Sequence, residues 1–214
     1  MNFFKLHNSV FALSILCLLL CTPRIPALEK PKLDLSPEEW SKLKKGELTL
    51  RIEQVKDEKG RRGTKTNTFR LLNASPVSVW EVLYEPDKDY QWAPRIVRSR
   101  ITKRGKNFLN IHYVFKTPIK TFQFHVHREY NSDKLIIESH LVENEKNDLS
   151  VSDGLYVLYP FEGGKKTVMS YSLYVVTNPN IPSIVTDYFA KQGCREWMEN
   201  LKKRVESGGK WQKK

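Results

Sequence analysis

The stretch from Val168 to Val205 constrains this chain most. Residues 168–176 alternate apolar side chains with small or polar ones, the period of a strand with one buried face. The pattern breaks at Asn178-Pro179-Asn180-Ile181-Pro182. It restarts with apolar residues at Ile181, Ile184, Val185, Tyr188, Phe189, Trp197, Met198, Leu201 and Val205, close to the helical period. Pro182 suits a first helical turn. Lys202, Lys203 and Arg204 favour a helix C-terminus, and Gly208-Gly209 ends the pattern. The spacing predicts a helix from about Pro182 to Val205. A long one-sided helix that follows strands must lay its stripe on their sheet, and a curved sheet gripping a helix leaves a hollow between the two.

The remaining text supplies that sheet. Strand-like segments at 97–102, 108–115, 122–130, 135–141, 154–161 and 168–176 are separated by turn signals at Arg104-Gly105, Thr117-Pro118, Asn131-Ser132-Asp133, 144–148 and Gly163-Gly164. Two more strands are read at 48–55 and 66–72, joined by a charged turn. Ser36-Pro37-Glu38-Glu39 has the spacing of a capping box. Ser75-Pro76 caps a helix over 77–83 whose buried candidates are Val79, Trp80 and Leu83, and 87–94 reads as a loop. Strands in series with helices at the ends give an α+β fold. A turn centred on Pro118-Ile119 sets Tyr113 and Phe115 beside Phe122 and Phe124. With the row Met169, Tyr171, Leu173 and Val175, these are placed on the concave face under the helix.

The chain opens with a leader: Lys5, a short apolar run over 10–20, and a segment ending at Ala27. The run is too short for a bilayer span. Residues 1–27 therefore read as a cleaved secretory signal peptide, with a periplasmic or secreted destination. Lipid attachment at Cys21 is the alternative. Residues 28–35 read as a linker, 36–207 as one domain and 208–214 as a basic tail. Cleavage leaves Cys194 alone, hence no internal disulfide. The formal charge falls from +12 to +10, because the leader carries Lys5 and Arg24 and no acid. Export argues against nucleic acid as a partner. Transient contact with an anionic membrane surface and a monomer are expected.

Ordered pieces of the sequence resemble START-like lipid-binding domains of the helix-grip superfamily, from about Glu39 to Val205. Trp40 followed by Gly46-Glu47-Leu48-Thr49-Leu50-Arg51 resembles the opening tryptophan, glycine and first strand. Asn73-Ala74-Ser75-Pro76-Val77-Ser78-Val79-Trp80 resembles the strand exit and helix start. Asp89-Tyr90-Gln91-Trp92-Ala93-Pro94 resembles the aromatic loop after it. Gly154-Leu155-Tyr156-Val157-Leu158-Tyr159-Pro160 with Thr167 and Tyr171 resembles a later strand pair, and 178–182 the approach to the gripping helix. The resemblance implies a curved antiparallel sheet around a long C-terminal helix, with an internal hydrophobic cavity. The superfamily also includes polyketide cyclases and ubiquinone-binding proteins. The family's Arg-Asp segment is represented only by 116–121, without that pair, so few charged groups are expected inside.

No nucleophile elbow or phosphate loop is present in the sequence. Cys194 reads as a packing residue. His112, His125 and His127 converge if the turn centres on Pro118-Ile119. Alternation puts them on the convex face, where a solvated patch is favoured over a zinc site. The expected ligand-binding residues are Trp92, Tyr113, Phe115, Phe122, Phe124, Tyr156, Leu158, Met169, Tyr171, Ile184 and Tyr188, with no catalytic residue, cofactor or metal. The expected function is non-catalytic binding or transport of a lipid or other hydrophobic small molecule. A cyclase or dehydratase using the same cavity, with Tyr171 or Tyr156 as the acid-base group, and an interaction module with a filled core remain open.

Overall fold

The computed structural model describes residues 32–117, 120–178 and 192–214. Eight strands form one antiparallel sheet: β1 Thr49–Lys56, β2 Arg62–Leu72, β3 Ile96–Arg104, β4 Phe108–Lys116, β5 Thr121–Asn131, β6 Ile136–Leu141, β7 Leu149–Phe161 and β8 Lys166–Thr177. Their spatial order is β1-β2-β8-β7-β6-β5-β4-β3. The helices are α1 Pro37–Lys44, α2 Pro76–Leu83, the single turn α3 Asp89–Trp92 and α4 Cys194–Glu206. The curved sheet with a C-terminal helix in its concave face is the helix-grip α+β arrangement that the sequence implies.

Register follows the alternation. Lys116 pairs with Thr121, Phe115 with Phe122, Tyr113 with Phe124 and His112 with His125, the pairing expected for a turn centred on residues 118–119. Two strands begin four or five residues earlier than the sequence suggests. β2 starts at Arg62, because the hairpin is tight: Asp57 Oδ1 accepts from the Arg61 amide at 2.8 Å and Gly60 takes φ +73°, a conformation that suits glycine. β7 starts at Leu149 rather than Gly154. Ser150, Ser152 and Asp153 look turn-like, yet residues 149–153 pair with β8 through a bulge between Leu149 and Val151.

The helices divide between the two faces. α1 is closed by a full capping box between Ser36 and Glu39 and packs on the convex side, where Leu43, Phe69, Leu71 and Val168 form a small core with Trp40 stacked on Phe161. Arg51 bonds the Glu39 carboxylate, and that hydrogen bond holds Glu39 down at about 2. The concave side carries the main core. There α2 buries Val79 and Leu83, with Trp80 half-buried, and α4 buries Cys194, Met198, Leu201, Arg204 and Val205. Spacings of three and four residues place these on one helix face, as expected for the described part of the gripping helix. Arg70 of β2 ties α4 to the sheet through Glu199 at 3.0 Å. The leader and residues 179–191, including Ile184 and Tyr188, lie outside the described residues.

Candidate functional site

Between α4 and the concave face lies a cavity of about 120 Å³. β4 and β5 contribute Tyr113, Phe115, Phe124 and Val126. β7 and β8 contribute Leu149, Tyr156, Tyr171, Leu173 and Val175, and α4 closes the cavity with Cys194 and Trp197. The segment after α3 supplies Ala93, Pro94 and Ile96. Strand residues two apart share a face, so the alternating pattern carries these side chains inward without a special motif.

One corner is polar and charged, against the expectation of few charged groups inside. Asp89 of α3 and Arg128 of β5 both line the cavity, and their exposures are 3% and 6%. Asp89 Oδ2 accepts from the Tyr113 hydroxyl at 2.5 Å and lies 3.6 Å from Arg128 Nη2. Arg128 Nη2 reaches the Tyr156 hydroxyl at 3.5 Å. Its guanidinium carbon sits 5.6 Å from the Tyr113 ring centre and 5.5 Å from that of Tyr156, a cation–π arrangement. Asp89 Oδ1 and Arg128 Nε, one acceptor and one donor, have no hydrogen-bond partner among the described residues.

Burial dominates the electrostatics. Desolvation pushes Asp89 up to about 6, against the attraction of Arg128 and the Tyr113 hydrogen bond. The Tyr113 and Tyr171 hydroxyls are pushed well above their ordinary range by burial, so they remain neutral donors. Burial likewise raises the Cys194 thiol to about 12, which fits a packing residue and not a thiolate nucleophile. Tyr156 and Tyr171 stack at 4.4 Å, and Trp197 covers both at 5.6 and 4.9 Å.

Of the side chains expected at the site, Tyr113, Phe115, Phe124, Tyr156 and Tyr171 are brought together on the cavity wall. Trp92, Phe122, Leu158 and Met169 are buried in the surrounding core and do not line it. Leu158 and Met169 are cross-strand partners. They lie two positions along from Tyr156 and Tyr171, roughly 7 Å further down the strands, where the sheet is filled. Trp92 turns toward Trp197, with ring centres 5.4 Å apart. Asp89 and Arg128 were missed. Arg128 shares the parity of Phe122, Phe124 and Val126, and a cation on an apolar face requires a buried partner; that signal was present in the sequence.

His112, His125, His127 and His140 occupy the convex face, as alternation places them. His112 and His125 stack at 4.4 Å, and His127 and His140 lie 5.1 Å apart. His127 contacts Asn110 at 2.7 Å and Glu129 at 3.3 Å. Burial, with the neighbouring His125, lowers His112. Among the described residues no group of three or more His, Cys, Asp or Glu side chains has the geometry to hold a metal ion.

No protein-family model and no curated protein matches the chain. Solved structures do. The chain is similar to human StAR-related lipid transfer protein 5, at TM-score 0.60 and 13% identity over 76% of this chain and 83% of that one. It is similar to a STAR-related lipid transfer protein from Xanthomonas axonopodis, at TM-score 0.59 and 15% identity over 72% and 98%. The Zhui aromatase/cyclase from a Streptomyces species matches at TM-score 0.58 and 11% identity over 74% and 94%. The fold is START-like. At these identities the likeness concerns the fold, and function rests on the site.

Proposed function

We propose that the protein is a non-catalytic binder of a hydrophobic, lipid-like molecule, exported by its leader. The observation that supports this is the cavity itself: largely aromatic and aliphatic walls, with Ser139 and Ser152 among them and one charged corner at Asp89 and Arg128. That combination holds an apolar body by burial, at about 25 cal/mol per Å², and orients it by a few polar contacts. The unpartnered Asp89 Oδ1 and Arg128 Nε offer one acceptor and one donor to a polar end group. The volume of about 120 Å³ is below the roughly 300–1,000 Å³ common for drug-sized ligands, so the ligand enters with its polar end or with part of its chain.

The test is mass spectrometry of an organic extract of the purified protein, together with uptake of the fluorescent fatty acid cis-parinaric acid. A co-purified amphiphile and saturable uptake are expected; an empty extract with no uptake overturns the reading. Export is tested on protein recovered from the cell envelope, where an N-terminus near Leu28 is expected. Intact Met1 in the cytosol contradicts export, and a lipid-modified Cys21 replaces it with the anchored alternative.

One observation favours a second reading. A carboxyl held at about 6 beside a guanidinium, inside a cavity, is suited to general acid–base chemistry. A cyclase or dehydratase would then use Asp89. Turnover of an aromatic polyketide that Asp89→Asn abolishes supports this reading, and binding without turnover removes it.

A further inference from the structure

The basic residues after α4 fold back onto the molecule. Gly208 and Gly209 take φ +65° and +76° and turn the chain back along the helix. Ser207 Oγ then accepts from the Trp211 amide at 2.7 Å. Arg204, 6% exposed, grips the returning segment from α4: its Nη1 donates to Trp211 O and its Nη2 to Gln91 Oε1, each at 2.8 Å. Lys203 covers the Trp211 ring. The contacts beyond that point fall on the segment that walls the cavity. The Lys213 amide donates to Gln91 O at 2.9 Å. Its ammonium donates to Ala93 O at 2.5 Å and Ile96 O at 2.6 Å.

The segment held in this way carries Asp89, Ala93, Pro94 and Ile96 of the cavity wall. It includes Arg95 at φ +60°, a left-handed conformation disfavoured for a residue with a Cβ. Besides this returning segment, its ties to the rest of the fold include Asn200 Nδ2 to Trp92 O, the Lys116 amide to Arg95 O, and Ser99 Oγ with Tyr90 N. Asp89 is further held by Tyr113 and Arg128, and Ile96 pairs with Phe115; the returning segment adds the bonds to the carbonyls of Gln91, Ala93 and Ile96, on either side of the strained Arg95.

We propose that Trp211–Lys213 is a latch on the Asp89–Ile96 wall, and that Lys213 is a positioning residue setting the rate of ligand exchange. This rests on the ligand-binding reading above. The experiment compares the full chain with Lys213→Met and with Trp211→Ala/Lys213→Met. Two quantities are read: amide hydrogen exchange of residues 89–96, and the release rate of bound cis-parinaric acid into acceptor vesicles. Faster exchange over 89–96 with unchanged protection in β4 and β5 is expected. Release should accelerate about tenfold, the scale of losing one charged hydrogen bond. Unchanged protection of 89–96, or lost protection with an unchanged release rate, overturns the latch. If the unsubstituted protein takes up no probe, the ligand-binding reading falls instead, and the proposed control of exchange falls with it.

Discussion

Asp89 and Arg128 meet at one corner of the cavity, Oδ2 to Nη2 at 3.6 Å, both almost sealed from solvent. One comes from a single helical turn and the other from the middle of β5. A buried pair of this kind is a weak source of net stability, but losing one partner leaves the other charge uncompensated.

Arg128→Met is therefore expected to cost about 3–5 kcal/mol, the range for breaking a buried pair. The double variant Asp89→Asn/Arg128→Met should lose less than the two single variants together, because contacting residues couple. Urea unfolding of the four proteins measures the coupling. Strict additivity would show that the two side chains do not share a charge interaction.

The same carboxyl fixes a pH signature. Burial raises Asp89 to about 6 in the fold, above its ordinary value of 3.8. Between those values the native state holds more protons than the unfolded chain, so this group's contribution falls as pH rises through the window and is flat above it. Asp89→Asn removes that fall. Stability at about pH 6.5 minus stability at about pH 4.5 should be more positive in the variant by roughly 2 kcal/mol. An equal difference in both proteins would mean that Asp89 titrates normally.

The strand and helix periods carried most of the fold. The pairing of Tyr113 with Phe124 and of His112 with His125 followed from one turn position and alternation. The cavity was only half legible, for two physical reasons. Alternation fixes the face of a side chain but not its depth along the strand, so Met169 and Tyr171 looked equivalent although only Tyr171 lines the cavity. Residue type also misleads where a charge has a distant partner. Asp89 sits in an apparent loop and Lys213 in a lysine-rich tail, yet the first is buried against Arg128 and the second is bound by two carbonyls. The start of β7 was hidden by Ser150, Ser152 and Asp153, whose polarity suits a strand bulge as well as a turn.

The grip itself is open to a direct measurement. Leu201 is fully buried between α4 and the sheet. Leu201→Ala should cost about 2–5 kcal/mol in urea unfolding, the usual range for truncating a buried leucine. A loss well under about 1 kcal/mol would place the helix stripe elsewhere.

Two tryptophan insertions on β8 separate wall from core. Met169 is 0% exposed and packed among core residues, whereas Leu173 is half-buried and lines the cavity. Met169→Trp forces extra volume into a filled interior, and overpacking of this kind costs about 1–3 kcal/mol or more. Leu173→Trp has open volume to enter. The expected outcome is a clear fall in melting temperature for Met169→Trp. For Leu173→Trp, circular dichroism and melting should stay close to those of the unsubstituted protein while uptake of cis-parinaric acid is lost. If Leu173→Trp instead unfolds the protein, the cavity is too tight to receive a side chain. If it leaves uptake intact, the ligand binds outside the wall formed by β7, β8 and α4.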